Sequence, residues 1–350
     1  MHYFEPDFNN ILEAVYNKKP KRLPFYEHII DVSIMEKILN KKFSDFYYGA
    51  KKEKLEFFKN FISFFIKTGY DTVSFECLIS DIMPGSGALY KNKKGAIKNR
   101  ADFESYPWTE IPDIFFNKYD LDFKLLREAM PEGMKAIGGP GNGIFECTQD
   151  IVGLSNLCLI AVDDPQLYRD LFFKVGDTIF LIWERFLKKE YSDVYVIGRF
   201  GDDLGYKAAT IINPKDIINL LIPQYKRIIK IIHEAGKPFI LHSCGNIFSV
   251  MEDLIECGID AKHSNEDTIS PFCEWQKRYS KKIAIFGGVD LGFLCTADGK
   301  SIKEYVNDIL KCSSEFTGFA FGTGNSIPDY IPVENYLKML ETAEIFRNKN

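Results

Sequence analysis

Apolar residues in the first part of the chain recur at three- and four-residue spacing over 8–15, 35–39 and 55–65, which predicts helices there. Beyond them the rhythm changes. Short β-branched or aromatic runs end in Gly, Asp, Cys or His, and each precedes a longer amphipathic stretch. The runs predict strands over 71–75, 135–138, 194–199, 238–242, 260–263, 283–286 and 318–321. The stretches 165–188, 214–235, 247–257 and 301–313 predict helices. Strand, loop, helix, strand at this repeat implies parallel strands joined by right-handed crossovers. An eighth strand is expected near the N-terminus or within 85–130, where 85–100 reads as a hairpin insertion with a basic tip. The expected fold is therefore α/β, a (β/α)8 barrel in one domain over 1–350, with 1–65 as a helical N-terminal extension. An open doubly wound sheet is the alternative. No GxGxxG or GxxxxGK(S/T) opens a helix after any strand, so nothing supports a nucleotide cradle.

Composition narrows the function classes. Hydrophobic residues make up 46% of the 350, enough for a large core, and Lys plus Arg is 44 against 49 acidic residues. No basic block exists for nucleic acid to bind. No apolar run approaches the ~18 residues of a membrane span, and Met1 to Asp7 lacks the pattern of a signal peptide. Eight scattered cysteines without a CxxC read as core filler or reactive ligands in a reducing cytosol rather than as staples. A cytoplasmic enzyme acting on a small molecule is expected.

A barrel enzyme works at the carboxyl ends of its strands, and the chemistry-bearing residues cluster there. His242 and Cys244 stand two residues apart at one strand end, a spacing that turns an imidazole and a thiolate toward one tetrahedral Zn²⁺. Glu266, at the next strand end, supplies an oxygen ligand, and three protein ligands leave a fourth position open for catalysis. The competing reading makes His242 a hydrogen-bonded barrel residue and Cys244 a small filler. Asp202 and Asp203 follow the third strand, one read as catalytic or substrate-orienting and the other as a helix cap, with Asp203 inward. Arg199 anchors a carboxylate substrate or forms a structural ion pair. His263 lines the pocket or is a satisfied core histidine; Glu146 and Cys147 are pocket-edge candidates. The glycines of 138–141 read as a turn holding backbone close to a ligand. Asp290 and Asn325 complete the set. His242, Asp203, Asp290 and Asn325 are expected to converge on one cavity with aromatic walls.

The stretches His242-Ser243-Cys244-Gly245-Asn246, Ile255 to Asp260, Gly287-Gly288-Val289-Asp290 and Pro332 to Asn335 resemble the uroporphyrinogen decarboxylase superfamily. Gly201 to Gly205 and His233 to Pro238 are similar too. The superfamily holds decarboxylases and zinc-dependent corrinoid methyltransferases. The decarboxylases' Met-Arg-Gln-Ala-Gly-Arg-Tyr motif is missing after Pro24, and nine arginines are few for an eight-carboxylate porphyrinogen. The resemblance to the methyltransferase branch implies His242 and Cys244 as zinc ligands. No cysteine lies between Ala320 and Pro332, where that branch has its third ligand. Cobalamin-independent methionine synthase, a related barrel, follows its His-x-Cys with a Glu, and Glu266 stands in the matching place. The resemblance implies methyl transfer to a thiol from a corrinoid held by a separate protein or supplied as free cofactor, since this chain has no DxHxxG motif. Asp203, Asp290 and His263 would then orient the substrate or the ligands. A decarboxylase of a porphyrinogen or smaller acid, using Asp203 or Glu76, is the alternative; a non-catalytic carrier of a tetrapyrrole or thiol is the third class.

Overall fold

The computed structural model describes residues 4–89, 91 and 93–349. Seven parallel strands pair in chain order: β1 (Thr72–Leu78), β2 (Lys135–Gly141), β3 (Tyr195–Gly201), β4 (Phe239–His242), β5 (Ala261–His263), β6 (Ala284–Val289) and β7 (Phe319–Thr323). Every predicted strand is present, several of them longer at the carboxyl end. In β2, β3, β6 and β7 the extra length runs through glycines, which composition alone assigns to turns. Residues 138–141 are the clearest correction, because they belong to β2 rather than to a turn. Gly138 has φ +138°, and a Cβ there would stand 2.1 Å from the Phe75 carbonyl oxygen of β1. Close strand packing, not a ligand, requires glycine at that position.

Alternation along the strands builds the interior. Ile137, Ile197, Ile240, Ala261, Ala284, Phe286 and Ala320, from six consecutive strands, form one buried cluster with Tyr26. A sheet whose strands β2 to β7 share one inner cluster is strongly curled. The β5–β7 side contributes alanines, and the rings of Tyr26 and Phe286, 5.3 Å apart, fill the space these leave. Helix α1 (Asn9–Val15) adds Ile11, Ala14 and Val15 to the same cluster.

The expected eighth strand is not a ladder strand among the described residues. Residues 24–30 instead lie along β7 through the parallel bridge Phe25↔Phe321, with Tyr26 N–H donating to the Phe321 carbonyl at 2.8 Å. The Ser74 hydroxyl of β1 donates to the Glu27 carbonyl, so the segment touches both edges of the sheet. Helices α2 (Val32–Leu39) and α3 (Lys51–Lys67) follow it, as the periodicity predicts. The hairpin expected over 85–100 contains no strand among the described residues, and Tyr90 and Asn92 of that stretch lie outside them. Cysteine usage also departs from expectation: Cys273 and Cys312 are disulfide-bonded between the helices Phe272–Tyr279 and Gly299–Ser313, which pack side by side. No single helix among the described residues is long and apolar enough to cross a membrane. One pair, Ile144–Val152 and Leu154–Asp163, passes by length and composition together but bends by 92°.

Phe286 is fully buried at the centre of this interior. Phe286→Ala should lower unfolding stability by about 3–5 kcal/mol, the cost of a large buried cavity. Denaturant titration checks this; a loss under ~1 kcal/mol would show that the alanine-lined side does not depend on that ring.

Candidate metal centre

Two residues beyond the apolar interior, the same inward-facing positions turn polar. Ile197 gives way to Arg199, Ile240 to His242 and Ala261 to His263. His242 and His263 are register partners on adjacent strands, and their Nδ1 atoms lie 2.8 Å apart. His263 Nε2 donates to the Thr323 carbonyl at 2.9 Å. His28, from the segment along β7, stacks flat on His242 with ring centroids 3.7 Å apart. Its Nδ1 is buried without a hydrogen-bond partner. All three rings are buried, and desolvation pushes His263 down to about 3 and His242 and His28 well below the ordinary imidazole value. The Arg199 guanidinium lowers all three further.

His242 Nε2 faces the strand ends. It lies 3.4 Å from Cys244 Sγ and 3.8 Å from Asp203 Oδ1. Asp203, His242 and Cys244 form a group whose ligand atoms are all within 4.8 Å of one another. The loops after β3 and β4 hold it together: Gly205 N–H donates to the Cys244 carbonyl, Asn246 N–H to the Tyr206 carbonyl, and Cys244 N–H to Asp203 Oδ1 at 2.8 Å. Gly245, at φ +79°, makes the contact; a Cβ there would stand 2.1 Å from Gly205. The Asn325 amide donates to Cys244 Sγ at 3.5 Å. Burial first, then the Asp203 carboxylate, raises the Cys244 thiol well above its ordinary value.

Of the residues expected to converge, His242, Asp203 and Asn325 meet around Cys244. Asp290 does not join them. Its carboxylate accepts from Phe293 N–H and Asp267 N–H, capping the helix Leu291–Thr296. Asp202 is fully buried and accepts from the N–H groups of Phe145 and Glu146 and from the Tyr225 hydroxyl. It therefore anchors the helix Ile144–Val152 rather than a substrate. Arg199 is likewise removed from substrate: fully buried, it pairs with Glu76 at 2.9 Å and donates to the Tyr26 hydroxyl. Glu266 lines the same cavity as Cys244 and Asp203, yet its carboxylate is outside the 4.8 Å group. Glu146 also lines the cavity and accepts from Asp203 N–H, whereas Cys147 is core. The cavity holds about 300 Å³. Glu146, Gln149, Asp203, Lys207 and Glu266 line it together with Leu89, Ile211 and a single aromatic residue, Tyr206, instead of the expected aromatic lining.

Sequence reasoning missed His28 and Glu27. Both sit in a segment with no strand pattern, and Thr323 and His242, which they meet, lie more than 200 positions away. Glu27 is buried and accepts from Thr323 N–H at 3.1 Å, from the Thr323 hydroxyl and from the Tyr70 hydroxyl. Desolvation nevertheless pushes it up to about 8. One available signal was the succession of polar residues in Tyr26-Glu27-His28, immediately before the apolar helix α2.

A family model for uroporphyrinogen decarboxylase matches residues 119–346. No curated protein sequence matches the chain. Among solved structures, a methyltransferase from Methanosarcina mazei superposes with a TM-score of 0.77 at 14% identity, covering 98% of this chain and 99% of its own. A sugar phosphate isomerase/epimerase from Parabacteroides distasonis and the 3-keto-D-glucoside 4-epimerase YcjR from E. coli reach a TM-score of 0.39 at 9% identity. They cover 93% and 92% of this chain and 97% and 98% of their own, and at that score they carry no argument. The methyltransferase establishes that the fold is shared along nearly the whole chain.

Glu27 makes stability depend on pH. It titrates near 4.5 when exposed and at about 8 when buried, so between these values the folded chain holds a proton that the unfolded chain has lost. Its contribution is complete below about 4.5 and is lost as pH rises through about 8. Wild type should therefore lose more stability than Glu27→Gln between about pH 5 and about pH 8.5. Denaturant titrations of both proteins at the two pH values measure this, and parallel losses would rule the effect out.

Proposed function

Since this chain belongs to the uroporphyrinogen decarboxylase family, we propose that it is a zinc-dependent methyltransferase that moves a methyl group from a corrinoid on a separate protein to a small thiol. One observation carries the reading: an imidazole nitrogen, a thiol and a carboxylate, from His242, Cys244 and Asp203, lie within 4.8 Å of one another at the strand ends, and Cys244 and Asp203 border an open cavity. One nitrogen, one sulfur and one oxygen donor with room for a fourth ligand suit a catalytic Zn²⁺. The fold shared with the Methanosarcina mazei methyltransferase supports the same assignment.

Zn²⁺ in that position would lower the pKa of an acceptor thiol and leave Cys244 ionised. The protein's own groups do the rest. The Asn325 amide, donating to Cys244 Sγ, tempers the charge on that sulfur. Asp203 is fixed by Cys244 N–H and cannot swing away without leaving that donor unpaired. Glu266 forms no salt bridge among the described residues and faces the same cavity, so it is placed to accept the proton of the entering thiol. The sulfur then forms the S–C bond, and the donor keeps the electron pair of the bond that breaks. Leu89 and Ile211 supply the apolar wall for the methyl group.

The decarboxylase alternative has less support, because Arg199 is spent on Glu76 inside the barrel and does not face the mouth. Glu76 is held by the same pair.

Metal analysis tests the reading. Purified wild type should hold about one Zn²⁺ per chain, and Cys244→Ala, His242→Ala and Asp203→Asn should each weaken binding at least ~10-fold. Glu266→Gln should retain the metal. Equal, negligible zinc in wild type and Cys244→Ala would sink the metal model. Loss in Glu266→Gln with retention in Asp203→Asn would move the third ligand to Glu266.

A further inference from the structure

The second histidine of the barrel mouth has a task that geometry assigns. A carbonyl oxygen only accepts, so His263 Nε2, 2.9 Å from the Thr323 carbonyl, carries a proton. Among the described residues the His263 ring nitrogens meet only the Thr323 carbonyl and His242, so the buried ring has no carboxylate to balance a charge and its Nδ1 is bare. The atom facing it at 2.8 Å is His242 Nδ1, which must then donate. The proton of His242 is thereby fixed on Nδ1, and the lone pair is left on Nε2. That is the nitrogen facing Cys244 Sγ at 3.4 Å and Asp203 Oδ1 at 3.8 Å.

We propose that His263 is a positioning residue: anchored on the Thr323 carbonyl, it holds His242 in the Nδ1–H tautomer and so aims the Nε2 lone pair at the Cys244–Asp203 site. The inference deepens the zinc reading and rests on it for its functional meaning, but the tautomer itself stands on hydrogen-bond geometry alone. An isolated histidine prefers its proton on Nε2, so the protein must supply the bias. With the opposite tautomer, His242 would present an N–H to the site, and two bare nitrogens would face each other at 2.8 Å.

The surroundings fit this role. The Thr323 backbone is held through its N–H by the Glu27 carboxylate, which steadies the carbonyl at the start of the chain of hydrogen bonds. Gly287, at φ +109°, lies beneath the contact; a Cβ there would stand 2.8 Å from the Thr323 carbonyl oxygen and 3.2 Å from the His263 ring. His28 lies flat on the other ring, 8° from parallel, and fixes the plane of His242 without a hydrogen bond to it. His28, His242 and His263 also have ligand atoms within 4.8 Å of one another. Two of these rings are already spent on each other and on a carbonyl, so the trio works as a support for His242 and not as a second metal centre.

Ring-nitrogen NMR of the full chain, stripped of metal, reads the tautomer directly, and with five histidines in the sequence the signals are resolvable. In wild type, His242 should carry its proton on Nδ1. His263→Phe should move that proton to Nε2 and weaken zinc binding roughly 10–100-fold, the usual effect of removing a ligand's hydrogen-bond partner. His263→Asn, whose Oδ1 replaces the Nδ1 acceptor, should restore both readouts; a merely space-filling role would predict no such rescue. An Nε2–H tautomer in wild type, or a His263→Phe protein with wild-type tautomer and affinity, would overturn the proposal. If wild type takes up no zinc, the metal reading fails, while the tautomer measured on the same sample still decides the relay.

Discussion

A guanidinium sealed inside a curled sheet has to be neutralised where it lies, and the arrangement at the strand ends depends on how this is done for Arg199. Removing either partner of a buried pair costs about 3–5 kcal/mol, because the remaining charge is left uncompensated. Here the partners come from distant parts of the chain: Glu76 from β1 and the Tyr26 hydroxyl from the segment along β7. The pair thus ties β3 to the region where the ladder is incomplete, and there the same segment delivers Glu27 and His28. Its second effect is electrostatic. Burial alone opposes protonation of the three imidazoles, and the guanidinium adds to it.

The strands were legible because their cores are β-branched or aromatic and their crossovers are amphipathic. Both signals come from local burial. Their ends were less legible, since Gly138 to Gly141 and Gly287 to Gly288 extend β2 and β6 for packing reasons that depend on neighbouring strands. His242 and Cys244 could be read as a pair because a two-residue spacing fixes their relative position. The carboxylate that stands beside them was not readable in that way. Whether Asp203 or Glu266 turns toward the sulfur depends on which carboxylate meets the Cys244 N–H, and that contact joins two loops.

Asp202, Asp290 and Arg199 show why strand-end polar residues are ambiguous from sequence. The junction where a barrel strand meets its helix needs acceptors for helix N–H groups, and it is also where catalysis takes place. An aspartate there serves either need, and only its partners separate the two. Asp202 and Asp290 meet backbone N–H groups of helix starts, whereas Asp203 meets the N–H of a loop that borders the cavity. Cys273 and Cys312 present the same difficulty in another form. Their separation of 39 residues carries no motif, and their pairing follows from two helices packing side by side.

Depth in this curled sheet is generated by the two-residue period of the strands. Each inward step of two residues rises ~6.6 Å, so successive inward positions form layers along the axis. The lowest layer, Ile197, Ile240 and Ala261 with Tyr26, is apolar and excludes water. One step up, Arg199, His242 and His263 are polar but consume their hydrogen bonds on Glu76, Tyr26, Thr323 and each other. Only above them, where the strands end and the period no longer constrains the backbone, do Cys244, Asp203 and Glu266 meet open space. Polarity therefore rises toward solvent: the apolar layer lies deepest, the hydrogen-bonded layer above it, and the side chains that border the cavity at the strand ends.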